Sequence, residues 1–280
     1  MRLTLWMLAA AAAAASAGEG TLRYRFKPGE TYAMTLVTET VSTGTVTQTI
    51  SGNGPTTSQT SPVVFESTQT VTGRLVVESV DAEGTATLAE TIDRVRYRQT
   101  STGPLADPTP QEFDSDDGRA PGGPFLSRLK PLAEAVGRPT RYRVAPDGGV
   151  TSPEGEKPAS PMSTVKLWPR LPGGPSTDGR SWTAAAPWSP EKRPSLGYRL
   201  AGAEGGVATV RTNTDVWASK GSLPAGAGGT TEYVLRSRFD AASGRLLESE
   251  RTAQVPAADE DDAPFVVVVE TLRLTPGGAN

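Results

Sequence analysis

Asp114, Asp116 and Asp117 stand within one short stretch that closes on Gly118. Calcium takes several oxygen ligands from a tight loop, and a glycine relieves the sharp turn such a loop requires. The three aspartates are therefore the candidate metal ligands, and calcium is the one cofactor the sequence suggests. Arg119 and Pro121, which follow, bring neither the later acidic ligands nor the closing glutamate of a calcium loop, so a solvated turn is the plainer reading of the same residues. A second acidic run, Asp259 to Asp262, has no glycine within it. It reads as a charged loop that keeps the apolar segment after it, Phe265 to Val269, from pairing with other chains.

Missing residue types narrow the remaining chemistry. The chain has no histidine and no cysteine, which removes imidazole general bases, the Ser-His-Asp triad, thiol nucleophiles and zinc sites built on either ligand. Ser127 and Lys130 have the Ser-x-x-Lys spacing of serine-lysine acylating enzymes, but the partner motifs those enzymes need are not evident. Two carboxylates flanking a bond could hydrolyse a glycoside. A carboxylate-based hydrolase acting on an extracytoplasmic glycan is thus the enzymatic alternative, set against a non-catalytic role. Trp168, Trp182, Trp188 and Trp217 lie near proline-rich turns. They suit stacking on a sugar or lipid, and equally the capping of a small core at its ends.

Any such residue has to be positioned by elements outside the cytoplasm. Arg2 is followed by an apolar run from Leu3 through Ala15, and the small residues Ala15 and Ala17 fit a signal-peptidase cleft, so residues 1–17 read as a signal peptide cleaved after Ala17. The run is too short and too rich in alanine to span a bilayer comfortably. A secreted or periplasmic product without a transmembrane segment is expected. With no cysteine, its stability must come from burial rather than cross-links. Net charge is −3 over 280 residues, and the arginines are scattered singly, as at Arg94, Arg96 and Arg98. No basic cluster argues for nucleic acid.

The elements are legible as strands. Val71, Leu75 and Val77 recur at period two, Asp81 to Gly84 supplies a reversal, and Ala86, Leu88 and Ile92 line the return. Val95 and Tyr97 have the opposite parity, so one extra residue near Asp93 has to be absorbed by a bulge. Leu22, Tyr24 and Phe26 lead into the Pro28-Gly29 turn, with Tyr32, Met34 and Leu36 beyond it, as a second strand pair. Thr38 to Thr49 reads as exposed strand, and Gly52 to Pro62 as a mobile connection. Phe125, Leu129, Leu132 and Val136 recur at helical spacing, with Pro131 expected to kink the helix or split it. Downstream, Leu196, Tyr198 and Leu200 return through Val207, and Tyr233, Leu235 and Phe239 return through Leu247, Ala253 and Val255. Phe265 to Leu274 reads as a strand buried on both faces at its start, central in its sheet or sandwiched beneath another layer.

The fold expected is mainly β, with antiparallel sheets in two related subdomains and one short helix near 125–137. The N-terminal subdomain is 18–150, a Pro/Gly-rich connection covers 151–180, and the C-terminal subdomain is 181–280. The turns at Asp81 and Gly84 and at Asp240 and Gly244 echo each other, consistent with a duplicated unit or with shared turn chemistry alone.

The opening Leu22-Arg23-Tyr24-Arg25-Phe26-Lys27-Pro28-Gly29-Glu30-Thr31-Tyr32, the Asp81 to Ala86 reversal and Phe113-Asp114-Ser115 resemble a family of exported bacterial β-rich proteins, periplasmic or lipoprotein-like, of unknown function. The likeness covers mainly residues 20–150. It implies an exported β-rich protein and brings no catalytic residue to carry over. Where relatives have a lipobox cysteine this chain has none, so the lipid anchor of those relatives is not expected. Together these readings favour a non-catalytic binding or envelope structural role. An apolar ligand or lipid, or another envelope protein, is the expected partner.

Overall fold

Alternating apolar side chains build strands, and in the computed structural model they build one sheet. The structure describes residues 22–50, 56–122, 126–152, 164–172, 181–185, 195–212, 232–255 and 266–277. Residues 1–17, expected to be a signal peptide, the acidic run 259–262, Trp188 and Trp217 lie outside the described residues. The strands are β1 (Thr31–Ile50), β2 (Thr57–Val80), β3 (Ala86–Thr102), β4 (Gln111–Asp114), β5 (Pro139–Val144) and β6 (Val150–Thr151) in the first half. The second half supplies β7 (Ser181–Ala185), β8 (Ser195–Glu204), β9 (Val207–Thr212), β10 (Glu232–Asp240), β11 (Arg245–Val255) and β12 (Val266–Pro276). All ladders between these strands are antiparallel, in the order β6-β5-β3-β2-β1-β12-β11-β10-β9-β8-β7, with β4 also beside β3. The two halves of the chain meet at a seam between β1 and β12.

The hairpin of β2 and β3 turns at Asp81 to Gly84, where Asp81 Oδ1 accepts from the amides of Glu83 and Thr85. Thr72 pairs with Arg94 but Gly73 pairs with Ile92, so Asp93 is the extra residue and Ile92, Val95 and Tyr97 all face the core. A Cβ at Gly73 would stand 2.2 Å from the Thr91 carbonyl, and glycine is what lets the bulged strand come this close. The β10 and β11 hairpin has a second bulge that alternation misassigns. Phe239 pairs with Leu246 and Arg238 with Glu248, leaving Leu247 as the extra residue and Leu246 buried in its place. β12 is central, between β1 and β11, with Val266 to Val269 half-buried on both faces.

Two other stretches depart from expectation. Residues 22–26 do not pair with β1. They cross between two turns, the Tyr24 amide donating to Pro146 O at 2.9 Å and the Arg25 amide to Gly244 O at 3.3 Å. β2 begins at Thr57, inside the stretch expected to be a connection, because its hydroxyls find cross-strand partners: Thr60 Oγ1 lies 2.9 Å from Thr47 Oγ1 and Ser58 Oγ lies 3.3 Å from Thr49 Oγ1. Pro62 is tolerated beyond the end of β3, where β2 has lost one of its neighbours.

The helical segment splits as its proline dictates. A 3-10 turn, Ser127–Leu129, precedes helix α1 (Lys130–Ala135), which has Pro131 in its first turn, where the missing amide is not needed. Leu129 and Leu132 face the core, and Gly137 ends the segment at φ +75°. β4 and β5 lie in line along the same edge of β3, pairing with residues 96–99 and 86–91 respectively. The chain between them swings out, lays the helix on the covered face and returns.

The sheet is rolled. Arg170 Nη2 lies 3.1 Å from Asp147 Oδ2, beside β6, while the Arg170 carbonyl accepts from Trp182 Nε1 of β7 at 2.8 Å. β6 and β7 are the two ends of the strand order, so residues 167–172 lie between the sheet's own edges. This strap is fixed further by the Leu171 amide on Asp147 O and by the Tyr24 hydroxyl on Pro169 O. Short turns at 81–85, 145–149, 204–207 and 240–245 gather at one end of the roll, which is filled with side chains. Tyr24 stacks with Trp168 at 5.1 Å and meets Phe239 edge-on at 5.3 Å, and Met34, Leu75, Leu88, Tyr142 and Leu274 pack in the same cluster. Residues of both halves of the chain share this core.

Candidate binding face

Cross-strand register orders the covered face into rows. Bordering the packed end runs a row of Leu272, Leu36, Val71 and Val95 on β12, β1, β2 and β3, all buried. The next row is Leu235, Arg251, Glu270, Thr38, Gln69 and Tyr97. Beyond it come Ala253, Val268, Thr40, Ser67 and Gln99, and then Val266, Ser42, Phe65 and Ser101. Apolar packing therefore gives way to a polar belt, and past the belt Val268, Val266, Phe65 and Ala253 are only partly covered, while Val63, one row further along β2, is buried. The C-terminal ends of β1, β3, β7, β9 and β11 all lie at this far end.

The belt is built from hydrogen-bonded and ion-paired groups, as burial requires. Arg251 makes an ion pair with Glu270, whose side chain is only 4% exposed. Ser237 Oγ and Ser249 Oγ lie 2.7 Å apart, and Ser249 donates to Leu167 O of the strap. The Tyr97 hydroxyl donates to Gln99 Oε1 at 2.5 Å. Arg128 reaches down from the 3-10 turn to both, with Nη2 on the Tyr97 oxygen and 3.3 Å from Gln99 Oε1, and its guanidinium carbon 5.1 Å from the centre of the Tyr97 ring. Deeper, Glu90 accepts from the Tyr142 hydroxyl at 3.1 Å and from Thr164 Oγ1 at 2.9 Å. Burial pushes the Tyr142 phenol well up, and the Glu90 charge adds to the shift.

The opposite face is charged and self-paired. Arg141 grips Glu78, Arg143 meets Asp81, Arg238 and Arg273 share Glu248, and Arg98 meets Glu112. The candidate calcium ligands belong to this face. Asp114 accepts from Arg94 Nε at 2.9 Å and Nη2 at 2.5 Å and from Arg96 Nε at 3.1 Å, and Asp116 lies 2.9 Å from Arg94 Nε. The Arg94 hydrogen bonds hold the Asp114 carboxyl well below the usual carboxylate range. Asp114 also caps the 3-10 turn Ser115–Asp117 through the Asp116 amide, and Gly118 follows at φ +65°. Among the described residues no group of three or more Asp, Glu, His or Cys side chains is arranged to hold a metal ion.

The remaining candidates are likewise accounted for. Trp168 is buried and stacked, and Trp182 lies against Tyr198 at 5.8 Å. Ser127 and Lys130 are exposed, and Lys130 pairs loosely with Glu134. The two carboxylates buried on the covered face, Glu90 and Glu270, are no hydrolytic pair. Register places them six residues apart along the strands and three strands apart across them, about 20 Å in the strand direction alone, against roughly 5–9.5 Å for a glycosidase pair.

Arg251, Glu270, Glu90 and Arg128 are the polar residues that sequence reading passed over. Parity could have found two of them. Glu270 alternates with Leu272 and Leu274, and Glu90 stands between Leu88 and Ile92, each a carboxylate on an otherwise apolar stripe.

No protein-family model matches the chain, and no curated protein sequence does. Among solved structures, one described as "lipid-protein interactions in lipovitellin" aligns over 91% of this chain with a TM-score of 0.50 at 14% identity. The match takes in 26% of that longer chain. The likeness is one of fold: a large, rolled, mainly antiparallel sheet.

Proposed function

We propose that this protein is an exported binder of an apolar ligand, a lipid or lipid-like molecule, held against the far half of the covered face. One observation carries the reading. On the inside of a rolled sheet, past a fully packed end, the apolar side chains Val268, Val266 and Phe65 remain partly uncovered, beside a belt of fixed polar groups. Apolar side chains on the concave side of a sheet are ordinarily buried by their own protein, and a ligand site is typically apolar with a few placed polar groups. The space beneath α1 is not the place, since Leu129, Leu132, Val95 and Tyr97 fill it. The fold likeness to part of lipovitellin, whose structure is described in terms of lipid interactions, supports the same reading. Residues 1–17 supply the export signal in this proposal, and a periplasmic or secreted location follows from it.

The test is native mass spectrometry of protein purified from its own host. A retained lipid mass that organic extraction removes, on a chain beginning at Gly18, is the expected result. Protein that carries nothing and, once delipidated, takes up neither oleate nor oleyl alcohol would overturn the reading.

A further inference from the structure

Resting on that reading, we propose that the ligand is an amphiphile with an anionic head, and that Arg128 binds the head at the rim while the tail runs over Val268 and Val266. The two guanidiniums of the polar belt differ in their commitments. Arg251 is neutralised by the buried Glu270. Arg128 is exposed, and among the described residues its partners are the neutral Tyr97 hydroxyl, the neutral Gln99 amide and the Tyr97 ring. These contacts hold the guanidinium in one orientation through Nη2, and none of them, among the described residues, engages Nη1 or Nε. A planar fork held in place in this way suits a carboxylate or phosphate, and little rotamer entropy remains to be lost on binding.

The surroundings match an amphiphile rather than a free anion. Gln99, Ser67, Thr40 and Val268 form one continuous row from β3 to β12, about 14 Å over three strand spacings. A head at Arg128 thus places its tail over small side chains, Ser67 and Thr40, toward the partly covered Val268 and Val266. Ser67 and Thr40 at the centre of the row are small and partly exposed, and the valines supply apolar surface beside them.

The experiment compares oleate with oleyl alcohol, which share a tail, on delipidated wild-type protein, Arg128→Gln and Arg128→Lys, by displacement of a fluorescent fatty-acid probe. Wild type should bind oleate at least about tenfold tighter than the alcohol, as one charge-assisted contact predicts. Arg128→Gln should lose that preference while keeping its affinity for the alcohol, and Arg128→Lys should retain part of it. Acetate and inorganic phosphate should fail to displace oleate. Equal affinities in wild type, an undiminished preference in Arg128→Gln, or full displacement by acetate or phosphate would each overturn the inference while leaving apolar-ligand binding in place. Binding of neither probe by folded wild-type protein would remove the underlying reading as well.

Discussion

Arg245 Nη2 lies 2.6 Å from Glu30 Oε1, so the turn that launches β1 is bolted to the turn that launches β11. Glu30 also accepts from the Tyr32 hydroxyl at 2.7 Å and from the Lys27 amide at 3.2 Å. Burial works to raise the Glu30 pKa, but the Tyr32, Arg245 and Lys27 hydrogen bonds together outweigh it, and the net shift is downward. A depressed carboxylate stabilises the fold above its unfolded pKa, near 4.5, and the benefit disappears as pH falls through the folded value. Glu30→Gln should therefore cost about 1–2 kcal/mol at pH 7. Thermal melts should show the gap between variant and wild type closing below pH 4.5, and a gap of constant size would refute the assignment.

Asp114 makes the same argument on the charged face. Its Arg94 hydrogen bonds lower its pKa, so Asp114→Asn should lower the melting temperature at pH 7 and lose its effect only in strong acid. An added cation has to compete with two guanidiniums for these oxygens. Millimolar calcium is expected to leave the wild-type melting temperature unchanged, and a calcium-dependent rise in differential scanning calorimetry would reverse that expectation.

Gly148 sits at φ +81°, and a Cβ there would stand 2.7 Å from Pro169 O and 2.8 Å from Tyr24 Cε2. Both neighbours belong to the contacts that hold the strap. Gly148→Ala should cost about 2–3 kcal/mol through backbone strain and overpacking. Gly122, where a Cβ meets nothing within 4 Å and φ is not positive, is the control and should tolerate alanine. Denaturant midpoints measure the difference.

Asp93 separates the role of a residue from the role of its side chain. Its ion pair with Arg74 is 3.8 Å long and about half exposed, so Asp93→Ala should fall within about 0.5 kcal/mol of wild type. Deleting Asp93 is a different matter. Removing the bulge residue would leave Ile92, Arg94 and Val95 in plain alternation, so Ile92 and Val95 would still share the covered face and a folded protein with a straighter β3 is expected. A deletion variant that yields no soluble folded protein would show that the bend made by the bulge, and not side-chain parity alone, is required.

The Asp93 bulge was legible because apolar residues of known parity flank it on both sides. The bulge at Leu247 was not, since Leu246 and Leu247 are adjacent and either could take the buried place. Residues 22–26 carry a strand's alternation, yet Tyr24 and Phe26 are spaced for plugging the roll's end, and local pattern does not say which backbone will accept a hydrogen bond. Serine and threonine at 57–61 read as loop by composition, while their pairing with Thr47 and Thr49 depends on a neighbour that composition does not reveal. β4 is short and interrupted by the helix excursion, too brief to show a period. The apolar run of β12 allowed a central strand or one beneath a second layer, and the strand order shows the first. The belt was hidden for another reason. Arg251 and Glu270 become partners only once β11 and β12 are in register, and Arg128 meets Tyr97 only once the helix is folded over β3.

The seam between β1 and β12 joins the first and last of the described strands. Until β12 emerges, β1 keeps one edge bare, and closure of a loop that holds the ten strands between them has to precede that pairing. Val37 and Val41 then stand on a strand with one vacant ladder, with Glu39 between them as the one charge that discourages a stranger. The protein should be a slow folder whose hazardous interval is the wait for its final strand. A truncation that ends before Val266 is expected to aggregate rather than to yield a smaller native domain.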